Sequence, residues 1–150
     1  MEIRKLEIRK LEIRKLEIEK FKIKRKVVTF EDLSVYQLAR EFRNKIYDVV
    51  KKLPEKERYN LAGQMRRAAV SLTNNIAEGY GRFHYQENIQ FCRQARGSLN
   101  ELIDDLNICM DQSYETEDDC RLLKEKAFHL MKVLNGYIAA TRKMQNGEVS

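Results

Sequence analysis

Two histidines, three cysteines and a scatter of carboxylates and serines are what a 150-residue chain offers for covalent or metal chemistry. Dinuclear metal sites in helical proteins are built from Glu-x-x-His pairs on facing helices. His84 and His129 are preceded at that spacing by Gly81 and Lys126, so the pattern is missing. Asp104-Asp105 and Asp118-Asp119 are neighbours in sequence and point to different sides of a helix. Ser71 and Ser98 lack the strand-turn-helix context of a nucleophile elbow. Gly79-Tyr80-Gly81 reads as a helix stop, not as a loop that cradles phosphate. Cys92, Cys109 and Cys120 contain no CxxC pair, and their odd number suits reduced thiols in a cytoplasm. No catalysis, no metal and no cofactor is expected.

What remains is recognition. Arg66, Arg67, Arg82, Arg93 and Arg96 are interleaved with Tyr80, Phe83, His84 and Tyr85. Guanidinium groups among aromatic rings can hold a phosphate backbone and stack bases, so these arginines are candidates for nucleic-acid binding. The plainer reading has Tyr80 and Phe83 covering a helix end while the arginines pair with Glu78 and Glu87. A second pattern runs beside the first. Gln64, Arg67, Ser71, Asn74, Asn75 and Glu78 recur at i, i+3, i+4 and i+7, within about 100° of one helical face. Serine and asparagine are weak helix formers, so an ordinary solvated face would not choose them. Gln64, Ser71, Asn74, Asn75 and Glu78 are therefore candidates for a close-packed contact with a helix or a second subunit, or for a ligand surface. Glu101, Asp104, Asp105, Asp111, Glu115, Glu117, Asp118 and Asp119 form an acidic counterpart. A basic half and an acidic half suit head-to-tail association between copies.

These side chains need helices to carry them. One proline and six glycines are too few for a sandwich or barrel, which needs frequent turn residues. Thr29 with Asp32 forms a capping-box pattern, and Val35, Ala39, Phe42, Ile46, Val50 and Leu53 follow on one face. Pro54 stops that helix and suits the first turn of the next. The second carries Leu61, Met65, Ala68, Ala69, Leu72 and Ile76 and ends at Gly79 or Gly81. The third, over about 85–112, turns Cys92, Ala95, Leu99, Leu102, Leu106 and Met110 inward. Thr116 with Asp119 caps a fourth, whose stripe is Leu123, Ala127, Leu130, Leu134, Ile138 and Thr141. Helices of about 23–29 residues with short connections predict an all-α, antiparallel, up-down-up-down four-helix bundle over residues 29–150.

Residues 1–28 stand apart. They read Glu-Ile-Arg-Lys-Leu three times, then Glu-Ile-Glu-Lys-Phe, then a worn copy, Lys-Ile-Lys-Arg-Lys. A period of five turns the aliphatic pair by about 140° per copy on a helix, so no single face can be buried. On a strand the aliphatic set changes face with each copy. A solenoid of pentapeptides would want a small residue where Ile or Leu stands. The segment is expected to be an exposed basic repeat arm, partly helical or flexible. Translation of a tandem DNA repeat is one origin for it, and electrostatic tethering of RNA or DNA is one use. It holds 11 Lys/Arg against 5 Glu, the whole of the chain's net charge of +6, whereas residues 29–150 carry 18 of each sign. A basic patch on the folded part must come from arrangement and not from net charge. No apolar run approaches the roughly 18 residues of a membrane span, and no membrane partner is expected.

The strings Phe30-Glu31-Asp32-Leu33, Tyr36-Gln37-Leu38-Ala39, Gln64-Met65-Arg66-Arg67-Ala68-Ala69, Ser71 and Asn74-Asn75-Ile76-Ala77-Glu78-Gly79 carry a resemblance. Phe91, Ala95, Ser98 and Glu101 continue it. Over roughly residues 29–145 the chain resembles the four-helix-bundle proteins of the 23S ribosomal RNA intervening-sequence family, whose genes are often found inside insertions in 23S rRNA genes. That family is similar to the accessory proteins of diversity-generating retroelements. The resemblance implies a non-enzymatic bacterial accessory protein that is homo-oligomeric, with a pentamer as the expected assembly. It implies a surface for RNA or DNA, or for a nucleoprotein partner such as a reverse transcriptase. A purely protein-binding scaffold is the alternative.

Overall fold

The computed structural model describes residues 1–24 and 26–148, with side chains described for 1–16 and 26–148. Arg25, in the worn last copy of the repeat, lies outside the described residues. The described residues form five α-helices and no strand: α1 (Glu2–Lys24), α2 (Ser34–Lys51), α3 (Leu61–Tyr80), α4 (Tyr85–Asp111) and α5 (Glu117–Gln145). None of these helices is long and apolar enough to cross a membrane.

The aliphatic stripes of α2 to α5 meet in one core. Val35, Ala39, Phe42 and Ile46 of α2 pack with Met65, Ala69, Leu72 and Ile76 of α3, with Leu99, Leu102 and Leu106 of α4, and with Ala127, Leu130 and Leu134 of α5. Around that core α2 neighbours α3 and α5, while α4 neighbours α3 and α5. Bonds between α4 and α5 pair ascending with descending numbers: Gln86 with Gln145, Arg96 with Asn135 and Asn107 with Lys124. At the edges of the stripes, Leu53, Met110 and Leu123 are half-buried, and Val49 is buried in addition.

Caps set the boundaries. The Thr29 hydroxyl accepts from the Glu31 amide, and the Asp32 carboxylate accepts from the Thr29 and Val28 amides. This capping box opens a single 3-10 turn, Phe30–Asp32, and α2 begins only at Ser34. Thr116 caps α5 through the Asp119 amide at 3.1 Å. The expected lengths need correction at α2 and α3, which have 18 and 20 residues. Pro54 holds extended backbone, a 3-10 turn Glu55–Glu57 follows, and α3 starts at Leu61 instead of in the turn after the proline. The Glu57 carboxylate stands in as the missing cap, accepting from the Leu61 amide at 3.2 Å. Its other oxygen accepts from the Tyr114 hydroxyl at 3.1 Å, and Lys52 pairs with the nearly buried Glu115. These contacts tie the α2–α3 connection to the α4–α5 turn.

That turn is a Schellman motif. The Ser113 amide donates to Met110 O and the Tyr114 amide to Cys109 O, with Ser113 at φ 59°. The same motif at the end of α5 uses Gly147 at φ 70°.

In α1 the six aliphatics Ile3, Leu6, Ile8, Leu11, Ile13 and Leu16 are 54–74% exposed. Among the described residues no packing contact joins α1 to another element. A run made wholly of good helix formers takes helical shape, and the five-residue period leaves it no face to bury.

Candidate nucleic-acid interface

Helix α3 presents different residues to each neighbour. Its inner face sets small residues among large ones: Ala68 and Ala69 are buried beside Met65, Leu72 and Ile76, and Gly79 sits against the start of α4. A Cβ at Gly79 would stand 2.7 Å from Asn88 Oδ1 and 3.0 Å from Phe91 Cβ. The close approach lets Asn88 reach the Tyr137 hydroxyl of α5 at 3.2 Å and accept from the Cys92 thiol at 3.5 Å. Gly79 is thus a packing requirement of the Asn-Ile-Ala-Glu-Gly string.

The polar ridge divides. Ser71 accepts a hydrogen bond from Ser98 of α4 at 2.9 Å, and Asn75 donates to both the carbonyl and the hydroxyl of Ser71. Both residues are half-buried, so this part of the ridge serves the contact between α3 and α4 within the chain. Gln64, Asn74 and Glu78 are at least partly open to solvent, and Glu78 is paired with Arg82 at 2.7 Å.

The candidate arginines divide as well. Arg66 and Arg67 line an open groove between α2 and α3 of about 600 Å³, together with Tyr47, Val70, Ser71, Asn74 and Asn75. The Arg66 guanidinium is steadied by one bond to the Arg58 carbonyl at 3.1 Å. Arg67 is exposed and meets no carboxylate among the described residues. Arg82 is neutralised by Glu78 and Glu87 and lies over the Phe91 ring, 4.9 Å from its centroid. Arg93 and Arg96 sit on α4 away from the groove; Arg96 donates to Asn135 of α5 at 3.0 Å. Phe83 is 92% exposed and covers no helix end. Tyr47 is silent in the sequence because an aromatic beside an aliphatic stripe reads as ordinary core.

The acidic cluster shrinks by two members. Glu115 is committed to Lys52, whose own pKa is raised chiefly by that bond. Asp105 is only 3% exposed, and its Oδ2 has no hydrogen-bond partner. Burial, then the charges of Glu101 and Asp104, push its carboxyl up to about 6. Its place three residues after Leu102 and four before Cys109 is the sequence signal for an inward position. The thiols are core groups: burial raises Cys92 to about 11 and Cys109 to about 12, which leaves them protonated at neutral pH. Among the described residues no three His, Cys, Asp or Glu side chains gather in a way that could hold a metal ion.

Small helical proteins of this kind fall into a recognised group. The family model described as 23S rRNA-intervening sequence protein matches residues 31–136, and the chain belongs to that family. The matched span contains the groove, the ridge and Gly79, and leaves the repeat outside. Among solved structures, the chain is similar to a protein of unknown function from the S23 ribosomal protein family of Bacteroides thetaiotaomicron. The two are 21% identical, with a TM-score of 0.65, over 70% of this chain and 95% of the other. At that identity the likeness speaks for the fold. No curated protein matches the chain.

Proposed function

We propose that this chain is a non-enzymatic, homo-oligomeric accessory protein of the cytoplasm that binds nucleic acid through the α2–α3 groove. In this reading residues 29–150 are an up-down-up-down four-helix bundle, and residues 1–28 are a basic repeat arm. The observation that carries it is the meeting of Arg66, Arg67 and Tyr47 in one open groove. Guanidinium groups hold phosphate, and a tyrosine ring stacks on a base. The folded part has no net charge, so affinity rests on this local arrangement and on the arm. The assembly is a ring of copies, pentameric as the resemblance implies, with Gln64, Asn74 and Glu78 at its contacts. A nucleoprotein such as a reverse transcriptase is a fitting partner.

The test is binding of structured RNA and of DNA by the full chain and two variants. Arg66→Ala with Arg67→Ala should weaken binding and flatten its salt dependence, by about one unit of slope for each phosphate no longer held. Arg82→Ala should leave both unchanged, since its charge is already neutralised. Equal behaviour of the two variants would rule the groove out and favour the protein-binding scaffold.

A further inference from the structure

A third guanidinium stands beside the α2–α3 groove. Arg43 lies on α2 one turn before Tyr47 and is half-buried. Its Nη1 donates to the Thr73 hydroxyl of α3 at 3.1 Å. That hydroxyl donates in turn to the carbonyl of Val70, a residue of the groove. Thr73 is 2% exposed, so this seat is built into the contact between the two helices. The other bond of Arg43, from Nε to Asn44 Oδ1, is long at 3.5 Å.

Arg43 meets no carboxylate among the described residues. Exposed arginines in that state, such as Arg40 and Arg93, have water around them. A guanidinium drawn partly out of water is costly unless an opposite charge answers it. Among the described residues only Arg66 and Arg96 are likewise half-buried without an acid, and Arg96 lies on α4, away from the groove. Arg43 and Arg66 are thus each steadied by a neutral oxygen and keep their full charge for an anion. Arg66 and the Thr73 that holds Arg43 are seven residues apart, about 10 Å along α3. Tyr47 shares the groove with Arg66.

We propose that the groove takes a single-stranded stretch of nucleic acid, with Arg43 and Arg66 on two phosphates of one strand and the Tyr47 ring on an unpaired base. The inference rests on the nucleic-acid reading of this groove and names its substrate class. A duplex keeps its bases stacked on one another. It offers the groove phosphates alone and leaves the ring without a partner. An unpaired base has a free face, and an aromatic ring stacks on any base. Two guanidiniums fixed in advance lose little freedom when they close on phosphate, which suits a strand that is itself flexible.

The experiment is fluorescence anisotropy with the full chain and labelled probes: a short unstructured RNA, the same sequence as DNA, and the perfect duplex of each. Tyr47→Leu should weaken the single strands about five- to a hundredfold and leave the duplexes unchanged. Unchanged duplex binding is also the sign that this variant keeps its fold. Tyr47→Phe, which retains the ring, should behave as the parent. Arg43→Gln should flatten the single-strand salt dependence by about 0.7 for the one phosphate released, and Arg43→Lys should restore it. Equal losses on single strands and duplexes, no loss from Tyr47→Leu, or an unchanged slope with Arg43→Gln would overturn the inference, and the groove reading would still stand if Arg66→Ala with Arg67→Ala weakens binding. If that double variant is without effect on every probe, the groove reading falls and the inference falls with it.

Discussion

Asp105 is the residue at which sequence pattern and environment disagree most. A carboxylate without a hydrogen-bond partner for Oδ2, flanked by Glu101 and Asp104, resists ionisation. Its folded-state pKa of about 6 lies above the ordinary 3.8, so the folded state holds the proton more tightly than the unfolded chain does. The stability linked to that proton is present below about pH 4 and fades as pH rises through 6, on the order of 2–3 kcal/mol. Asp105→Asn should therefore melt higher than the parent at pH 8, with the gap closing towards pH 4. Thermal melts across that range check it, and a constant gap would mean the side chain is solvated. Two backbone positions give opposite signs. Ser113 occupies the left-handed region at φ 59°, so Ser113→Gly should stabilise by up to about 1 kcal/mol in denaturant titrations. Gly79→Ala should destabilise by about 1–3 kcal/mol, because the new methyl meets the Asn88 carbonyl 3.1 Å away.

Among the elements, α1 makes no packing contact with the others through the described residues. An isolated helix is held by propensity alone and melts without cooperativity, whereas α2 to α5 share one core. Deleting residues 2–24 should leave the cooperative melting temperature unchanged and remove only a gradual decline of helicity, followed by circular dichroism. A large fall in that temperature would show that α1 packs on the rest. The core helices are legible because their stripes recur at three and four residues, and Leu72, Leu99 and Leu134 are buried as the pattern requires. The late start of α3 is not legible. A proline suits a first helical turn, but here the Glu57 carboxylate supplies the cap three residues later. Nor is the division of the ridge. Periodicity puts Ser71 and Asn74 on one face, and only the approach of α4 decides that Ser71 meets Ser98 while Asn74 stays exposed. Charge partners are legible at Arg82, one turn from Glu78, because that pairing is local.

At the scale of the whole molecule, the chain divides its charge into a basic arm and a neutral body. The body has two open grooves: one with arginines and a tyrosine between α2 and α3, and an apolar one with a mixed rim between α2 and α5. In the ring reading, Asn74→Lys should lower the oligomeric mass in light scattering without changing the melting temperature, because Asn74 touches nothing that holds the fold. An unchanged mass would take Asn74 out of the interface. The central claim is that the body itself, and not only its arm, binds nucleic acid. The most direct measurement is RNA affinity over a salt series, with the full chain and with residues 2–26 removed. Phosphate contacts make log K fall linearly with log salt, by about 0.9 per duplex phosphate neutralised. A body that binds keeps its affinity in the shortened chain, with a shallower slope that flattens further when Arg66 and Arg67 become alanine. Disappearance of all binding with the arm, or a slope indifferent to both arginines, would contradict the claim.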